Sequence, residues 1–240
     1  MAVVTFADAS GDDRLGEVKV GKVIGDAVMQ KFHELPYIQL VSPLQIMKVK
    51  KELQIQDKEV AKDLSLAEQV AKGANRSFIV SGALTRLGEK FVLSANLNDL
   101  GKERLLVAIQ LQGSTEASIL GSLVDLLCHK FQKKLIAELQ IKEEAARDIV
   151  SVGELTTTSL EAYSQFLQGV KLYQSGAFQP GIDMMIRATN LSLAYSVIAF
   201  TYSLAKKDGP SETYRLKSLN YKDRFKGISK ESLIFKGNPA

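Results

Sequence analysis

Two short stretches near the N-terminus carry residue types that could do chemistry. The first is GEVKVGKV, Gly16–Val23, which follows the apolar run AVVTFA. Gly-x4-Gly-Lys after a strand is most of a phosphate-binding loop, in which backbone N–H groups cradle the phosphates and a Ser or Thr after the lysine holds magnesium. Here the interior positions are Glu17, Val18, Lys19 and Val20, and Val23 follows Lys22. Two β-branched residues and an anion keep the backbone away from phosphates, and valine cannot ligate a metal. Val20, Ile24, Ala27, Val28, Phe32 and Leu35 instead recur at three- and four-residue spacing, so the stretch opens an amphipathic helix. No nucleotide binding is expected from it.

The second stretch, ADASGDD, gives Asp8, Ser10 and Asp12 the one-residue spacing of a calcium loop. An EF-hand also needs Gly at loop position six and Glu at position twelve. Those positions hold Asp13 and Lys19, so the stretch reads as a polar turn with acidic residues at a helix N-terminus, where the dipole favours them. The only histidines are His33 and His129, and the only cysteine, Cys128, adjoins His129. Neighbours on a helix point about 100° apart, and no further partners for a dyad or a zinc site are announced. Glu143, Glu144 and Arg147 read as a solvated helix face, as do Lys130, Lys133 and Lys134. No catalytic residue, cofactor or metal ligand is expected, and the chain is not read as an enzyme.

Composition sets the frame for these residues. The chain has 240 residues, 45% of them hydrophobic, and a formal net charge of +4. Its pI is near 9.0. The basic excess is small and dispersed, and the cluster Lys48, Lys50, Lys51 has no aromatic neighbours on which bases could stack, so nucleic acid is not expected as a partner. No apolar run approaches the ~18 residues of a membrane span, so no direct membrane insertion is expected. Met1 leads straight into the first strand without a signal-peptide pattern, so the chain reads as a domain excised from a longer protein.

Periodicity then supplies the elements. AVVTFA reads as a buried strand, and YIQLVS, Tyr37–Ser42, as a second one after Pro36. Pro43 to Ala74 is helical in habit. SFIVSGALTRL and KFVLSANLNDL are strands split by a Gly88-Glu89 hairpin turn, and ERLLVAIQLQG is a third strand of the same meander. A long helix follows from Glu116 into the Lys142–Arg147 region, with the stripe Ile119, Leu123, Leu126, Leu127, Phe131, Leu135 and Leu139. The expectation is an α/β domain over residues 1–150 with a mixed sheet of about five strands. VGELTTTS marks a linker, 151–158. From 159 to 240 everything reads as helical.

Within that helical region, LEAYSQFLQGVKLYQSGAFQPGIDMMIRATNLSLAYSVIAFTY places Gly169, Leu172, Tyr173, Gly176, Phe178, Gly181, Ile182, Ala188 and Leu191 in an order that resembles the tetratricopeptide repeat. A second copy, begun by Ala194, Tyr195, Ile198, Ala199 and Tyr202, is interrupted at Lys206–Pro210, so the array reads as truncated. AVVTFADASGDD and ANRSFIVSGALTRLGEKFVLSANLND are similar to the start and the strand–Gly–strand segment of the TolB amino-terminal-like (FlgO-like) domain. TTTSLEAYSQFLQG and SLNYKDRFKGISKESLIFKG resemble parts of the repeats that follow such domains in bacterial signalling proteins. The resemblance implies a non-catalytic sensor or adaptor that binds a protein partner, in an extracytoplasmic or periplasmic location.

Tyr173, Phe178, Tyr195, Tyr202 and Phe225 are the expected partner-binding residues, because stacked helix pairs present concave surfaces. A small-molecule sensor, with its pocket at the sheet–helix or interdomain junction, is the alternative. Leu216, Leu219, Phe225, Ile228, Leu233 and Phe235 need a cover. A homodimer through the C-terminal helices would supply it; partner capture on the same patch is the other solution.

Overall fold

The computed structural model describes residues 1–33, 35–142, 159–188, 195, 198–199, 202 and 208–220. The chain divides into two compact units, Met1–Val150 and Ser151–Ala240. The linker expected at 151–158, the charged face Glu143–Arg147, and Phe225 with the C-terminal apolar residues after it lie outside the described residues.

The first unit is mixed α/β around a five-stranded sheet. Strands β1 (Ala2–Val3) and β2 (Ala7–Ala9) both pair in parallel with β3 (Phe78–Leu87). β3, β4 (Lys90–Asp99) and β5 (Arg104–Gly113) form an antiparallel meander, giving the order β1-β3-β4-β5 with β2 beside β3. The first turn of the meander has two residues, and Gly88 takes φ +62 at the leading position, where a type II′ turn requires glycine. At the second turn the Asp99 Oδ1 accepts from the N–H groups of Gly101 (3.0 Å) and Lys102 (3.1 Å).

Alternation along these strands sends Val80, Leu84, Leu93, Ala95, Leu97, Ile109 and Leu111 to one face, all buried. Two helices cover that face: α2 (Val20–His33), reached through the short α1 (Asp13–Glu17), and α7 (Val124–Glu138). On the opposite face the described helices pack at the β1 and β2 side, against one end of β3. There α3 (Pro43–Glu52), α4 (Asp57–Lys62) and α5 (Leu64–Gly73) bring Val49, Val60, Ala67, Val70 and Ala71 into one cluster with Ala2, Val4, Ile79 and Leu100.

Within the run Gly16–Val23, the residues Val20, Gly21 and Val23 are buried at the start of α2. The Phe6 N–H donates to the Gly21 carbonyl at 3.1 Å. A Cβ on Gly21 would lie 1.9 Å from the Phe6 carbonyl oxygen, and one on Gly25 would lie 3.0 Å from that of Val4. Two glycines four apart make a bare strip on α2, and the backbone between β1 and β2 lies against it.

Two expectations are corrected. YIQLVS is not a strand, and the fifth strand is β2. The YIQLVS backbone meets the N-terminal strand segment at Met1, through Val41 N–H to the Met1 carbonyl (3.1 Å) and the Met1 ammonium to the Gln39 carbonyl (2.5 Å). A two-residue β1 offers too short a partner for a longer ladder. The long helix is also shorter and less regular than its stripe suggests. It begins as α6 (Glu116–Ser118), passes through a π-helical turn at Ile119–Leu123, and ends with α7 at Glu138. The π-turn rotates the later residues relative to the earlier ones, so the buried stripe is Val124, Leu127, Cys128, Phe131 and Leu135, while Leu126 and Leu139 are exposed.

In the second unit, α8 (Leu160–Gln174) and α9 (Phe178–Arg187) form a hairpin. Gly176 at φ +87 reverses the chain, and the Ala177 N–H closes the end of α8 by donating to the Leu172 carbonyl at 3.0 Å. A Cβ on Gly169 would lie 2.8 Å from the Gly181 carbonyl oxygen, and a Cβ on Gly181 would lie 2.8 Å from that of Gly169. Each glycine admits the other's backbone. A further helix, α10, spans Asp208–Asn220.

Candidate partner-binding surface

The meander sorts its polar residues as cleanly as its apolar ones. On the face away from α2 and α7, the register aligns Ser81, Asn96 and Ala108 across three strands, then Ala83, Ser94 and Gln110, then Thr85, Val92 and Gln112. Ala108, Gln110 and Gln112 are exposed, and Ser81, Ala83, Thr85, Ser94 and Asn96 are half-buried. No charged side chain interrupts these rows. Leu87, 72% exposed, and Leu105, 55% exposed, flank them at the two ends. The result is a face of small polar groups around the buried Val92, bounded by Leu87 with the exposed Lys90 opposite it at one end and by Leu105 at the other.

Beside Leu105 this face runs into a groove of about 460 Å³ between α5 and the ends of β4 and β5. Leu64, Glu68 and Lys72 form one wall, and Asn98, Leu100, Glu103 and Arg104 the other. Its rim is mixed in charge. Just outside, Glu138 accepts from Lys102 Nζ (2.7 Å) and Arg104 Nη2 (2.5 Å). The hydrogen bond from Lys102, followed by the one from Arg104, holds the Glu138 carboxyl below the usual carboxylate range.

A second polar seam lies between α2 and α7. Lys31, 1% exposed, reaches Asp125 Oδ1 at 2.6 Å. Nearby, Gln132 donates to the Tyr37 hydroxyl at 3.1 Å. Cys128 sits within this seam, and burial pushes its thiol up, which suppresses the thiolate that nucleophilic chemistry needs. Its neighbour His129 is exposed, as is His33, so the two histidines and the cysteine do not converge. Asp8, Ser10 and Asp12 turn inward on their own loop. Asp8 Oδ1 accepts from the Ser10 N–H (3.0 Å) and hydroxyl (2.6 Å), while Asp12 Oδ1 caps Arg14 (3.1 Å) and Asp12 Oδ2 meets Arg86 (3.2 Å). Among the described residues no group of three or more His, Cys, Asp or Glu could hold a metal ion.

The aromatic residues expected to bind a partner fall into two places. Tyr173 and Phe178 meet edge-to-face across the α8–α9 turn, with centroids 5.3 Å apart and Phe178 55% exposed. Tyr195 and Tyr202 gather around Tyr214 of α10, at 6.2 and 5.7 Å, with Lys217 Nζ 4.9 Å from the Tyr214 ring centre. Burial, then the neighbouring Tyr202 and Tyr195, raise the Tyr214 hydroxyl above its ordinary value. Leu216 on the same helix is 50% exposed.

Sequence reading missed Tyr214, the Lys31–Asp125 pair and the polar rows of the sheet. Lys31 did leave a signal, since it interrupts the apolar period of α2 three residues after Val28. Ser94, Asn96 and Asn98 left another, alternating with apolar residues along β4.

No protein-family model matches the chain, and no curated protein does. Solved structures do match. The LpoB C-terminal domain from Escherichia coli overlays with a TM-score of 0.37 at 12% identity, over 48% of this chain and 82% of that one. The LpoB C-terminal domain from Salmonella enterica gives 0.35 at 11% identity, over 48% and 81%. The NMR structure of E. coli LpoB gives 0.35 at 12%, over 46% of this chain and 54% of that one. Each similarity extends over about half of this chain. No helix among the described residues is long and apolar enough to cross a membrane.

Proposed function

We propose that this chain is a non-catalytic adaptor whose first unit binds a protein partner on the polar face of the meander. The observation that carries the reading is the set of exposed and half-buried neutral rows, Ser81 to Gln112, framed by exposed Leu87 and Leu105. Such rows offer hydrogen bonds, and Leu87 and Leu105 offer apolar anchors, to another protein surface, whereas small ligands are taken by concave, mostly apolar sites. It also lacks the cations that nucleic acid requires.

The second unit supports the same role as a repeat-type helix pair. The reciprocal approach of Gly169 and Gly181 is what tetratricopeptide-like packing needs, and Tyr173, Phe178, Tyr195, Tyr202 and Phe225 are the residues proposed to present a second contact surface. The division into a domain ending at 150, a linker of 151–158 and a helical region to 240 belongs to this proposal. So does an extracytoplasmic or periplasmic location, which rests on the resemblance to TolB amino-terminal-like domains.

Site-specific photo-crosslinking in intact cells tests the reading. A crosslinker at Asn96 should give a discrete adduct with a partner, and one at Lys22, on α2, should give none. Equal labelling from both positions, or none from Asn96 and Ser94, ends the proposal. The alternative, a small-molecule sensor, is favoured by the groove beside α5, whose volume lies in the range of ligand sites. A metabolite that raises the melting temperature, with the shift lost in Lys72→Glu, would favour it instead.

A further inference from the structure

The outer edge of β5 is complementary to itself. The two-residue turn makes Leu87 and Lys90 a hydrogen-bonded pair, and such pairs alternate along an antiparallel ladder. Carried through the register, the alternation directs the N–H and C=O of Phe91, Leu93, Ala95 and Leu97 toward β5. Their partners Gly113, Leu111, Ile109 and Val107 therefore face β4, and the backbone groups of Ala108, Gln110 and Gln112 face outward. All three residues are exposed, and no described backbone group bonds to them from outside the sheet.

Proteins blunt such an edge with lysine, proline, a bulge or a covering loop. From Leu105 to Gly113 this strand, LLVAIQLQG, has neither charge nor proline, and its one register shift lies at Leu97/Asn98, beyond the outward-facing residues. The core is thinner here as well. Ile109 and Leu111 keep 8% and 9% exposure, while Leu93 and Leu97 on the neighbouring strand keep none.

The geometry points to a second copy of this chain as the occupant, with two β5 strands pairing antiparallel about a two-fold axis at Gln110. In that register Gln110 of one copy lies opposite Gln110 of the other, and a glutamine amide both donates and accepts, so it can pair with itself. Ala108 lies opposite Gln112, which engages all the outward backbone groups of both strands. Ile109 lies opposite Leu111 and continues the apolar row from one sheet into the next. The product is one continuous sheet, β1-β3-β4-β5-β5-β4-β3-β1. This pairing runs through the backbone edge of β5 and shares Ala108, Gln110 and Gln112 with the polar face, so the Asn96 crosslink, on β4, tests partner binding separately.

Sedimentation of the whole chain, combined with cysteine pairing, tests the register. The wild type should be a dimer, and Gln110→Pro should be a monomer with unchanged circular dichroism, since the lost N–H points outward. Gln110→Cys should crosslink to itself on oxidation, because paired Cα atoms about 5.5 Å apart are within disulfide reach. Ala108→Cys alone should not, its copies lying ~13 Å apart along the strands. Mixed with Gln112→Cys it should crosslink. A strict monomer at high concentration overturns the proposal. So does a dimer that survives Gln110→Pro, self-crosslinking of Ala108→Cys in place of Gln110→Cys, or a monomer that takes an extended peptide along β5.

Discussion

The two edges of the sheet solve the same problem in opposite ways. On the inner edge the strands are short, two residues in β1 and three in β2, and the chain between them is met by other backbone. Val4 donates to Val80, Phe6 donates to Gly21 of α2, and Met1 exchanges hydrogen bonds with the connector at Gln39 and Val41. The outer edge, β5, is ten residues long and, among the described residues, carries none of these coverings. An uncharged edge is open to pairing, so the contrast separates the side of the sheet that other backbone of the fold meets from the side on which the proposed pairing depends.

The largest way to break the contrast is to spoil the seal. Gly21→Ala puts a methyl group against the Phe6 carbonyl, where neither helix nor strand can yield cheaply, and should destabilise the first unit by about 3 kcal/mol or more in urea unfolding. Lys31→Met should cost somewhat less, about 2–3 kcal/mol, because it leaves Asp125 beside the core without its cation. Combining it with Asp125→Leu should recover much of the loss. Recovery of none of it would mean that the pair matters through its shape rather than its charge.

Changes on the outer side should be mild by comparison. Gln112→Lys, on the exposed row, should alter monomer stability by no more than ~0.5 kcal/mol. A loss as large as that of Gly21→Ala would show that the bare edge is part of the folding core after all. The smallest effect should come from Glu138. Its carboxyl titrates below the usual range when folded, so its contribution is present above the unfolded value of about 4.3 and is lost as pH falls through the lower folded one. The urea midpoints of wild type and Glu138→Gln should differ slightly at neutral pH and converge as pH falls through the folded value, with the exposed cations keeping the difference small.

The meander was legible because its signals are local. Gly88 stands where a tight turn needs it, and apolar residues alternate on both sides. The role of Gly21 was not, because Gly-x4-Gly-Lys spacing is the same whether the glycine clears space for a phosphate or for a strand. Glu17, Val18, Val20 and Val23, with the helical period that runs on to Leu35, were what argued against the ligand. YIQLVS has the composition of a strand, but strandhood needs a partner of matching length, and Met1–Val3 is too short. The exposure of Leu126 and Leu139 depended on a π-turn that shifts the helical phase, which no average period contains. The polar rows that make the candidate site lay in plain view as Ser94, Asn96 and Gln110. Their meaning required the register that sets them side by side.

The pairing of Ala2 with Ile79 also fixes an order of events during folding. The contacts of β3 with β4, and of β4 with β5, close loops of a few residues and can form within microseconds of collapse. The contact of β1 with β3 must close a loop holding five helices, and the entropy of that closure is met before any of its hydrogen bonds form. On the ribosome Ala2 emerges well before Ile79, so the first strand waits as unpaired apolar chain until its template is made. The bare edge of the finished meander and the waiting AVVTFA segment therefore coexist in every newly made molecule. The longer the closures of β1 and β2 onto β3 take, the longer the meander's edge and the unpaired AVVTFA segment are exposed together.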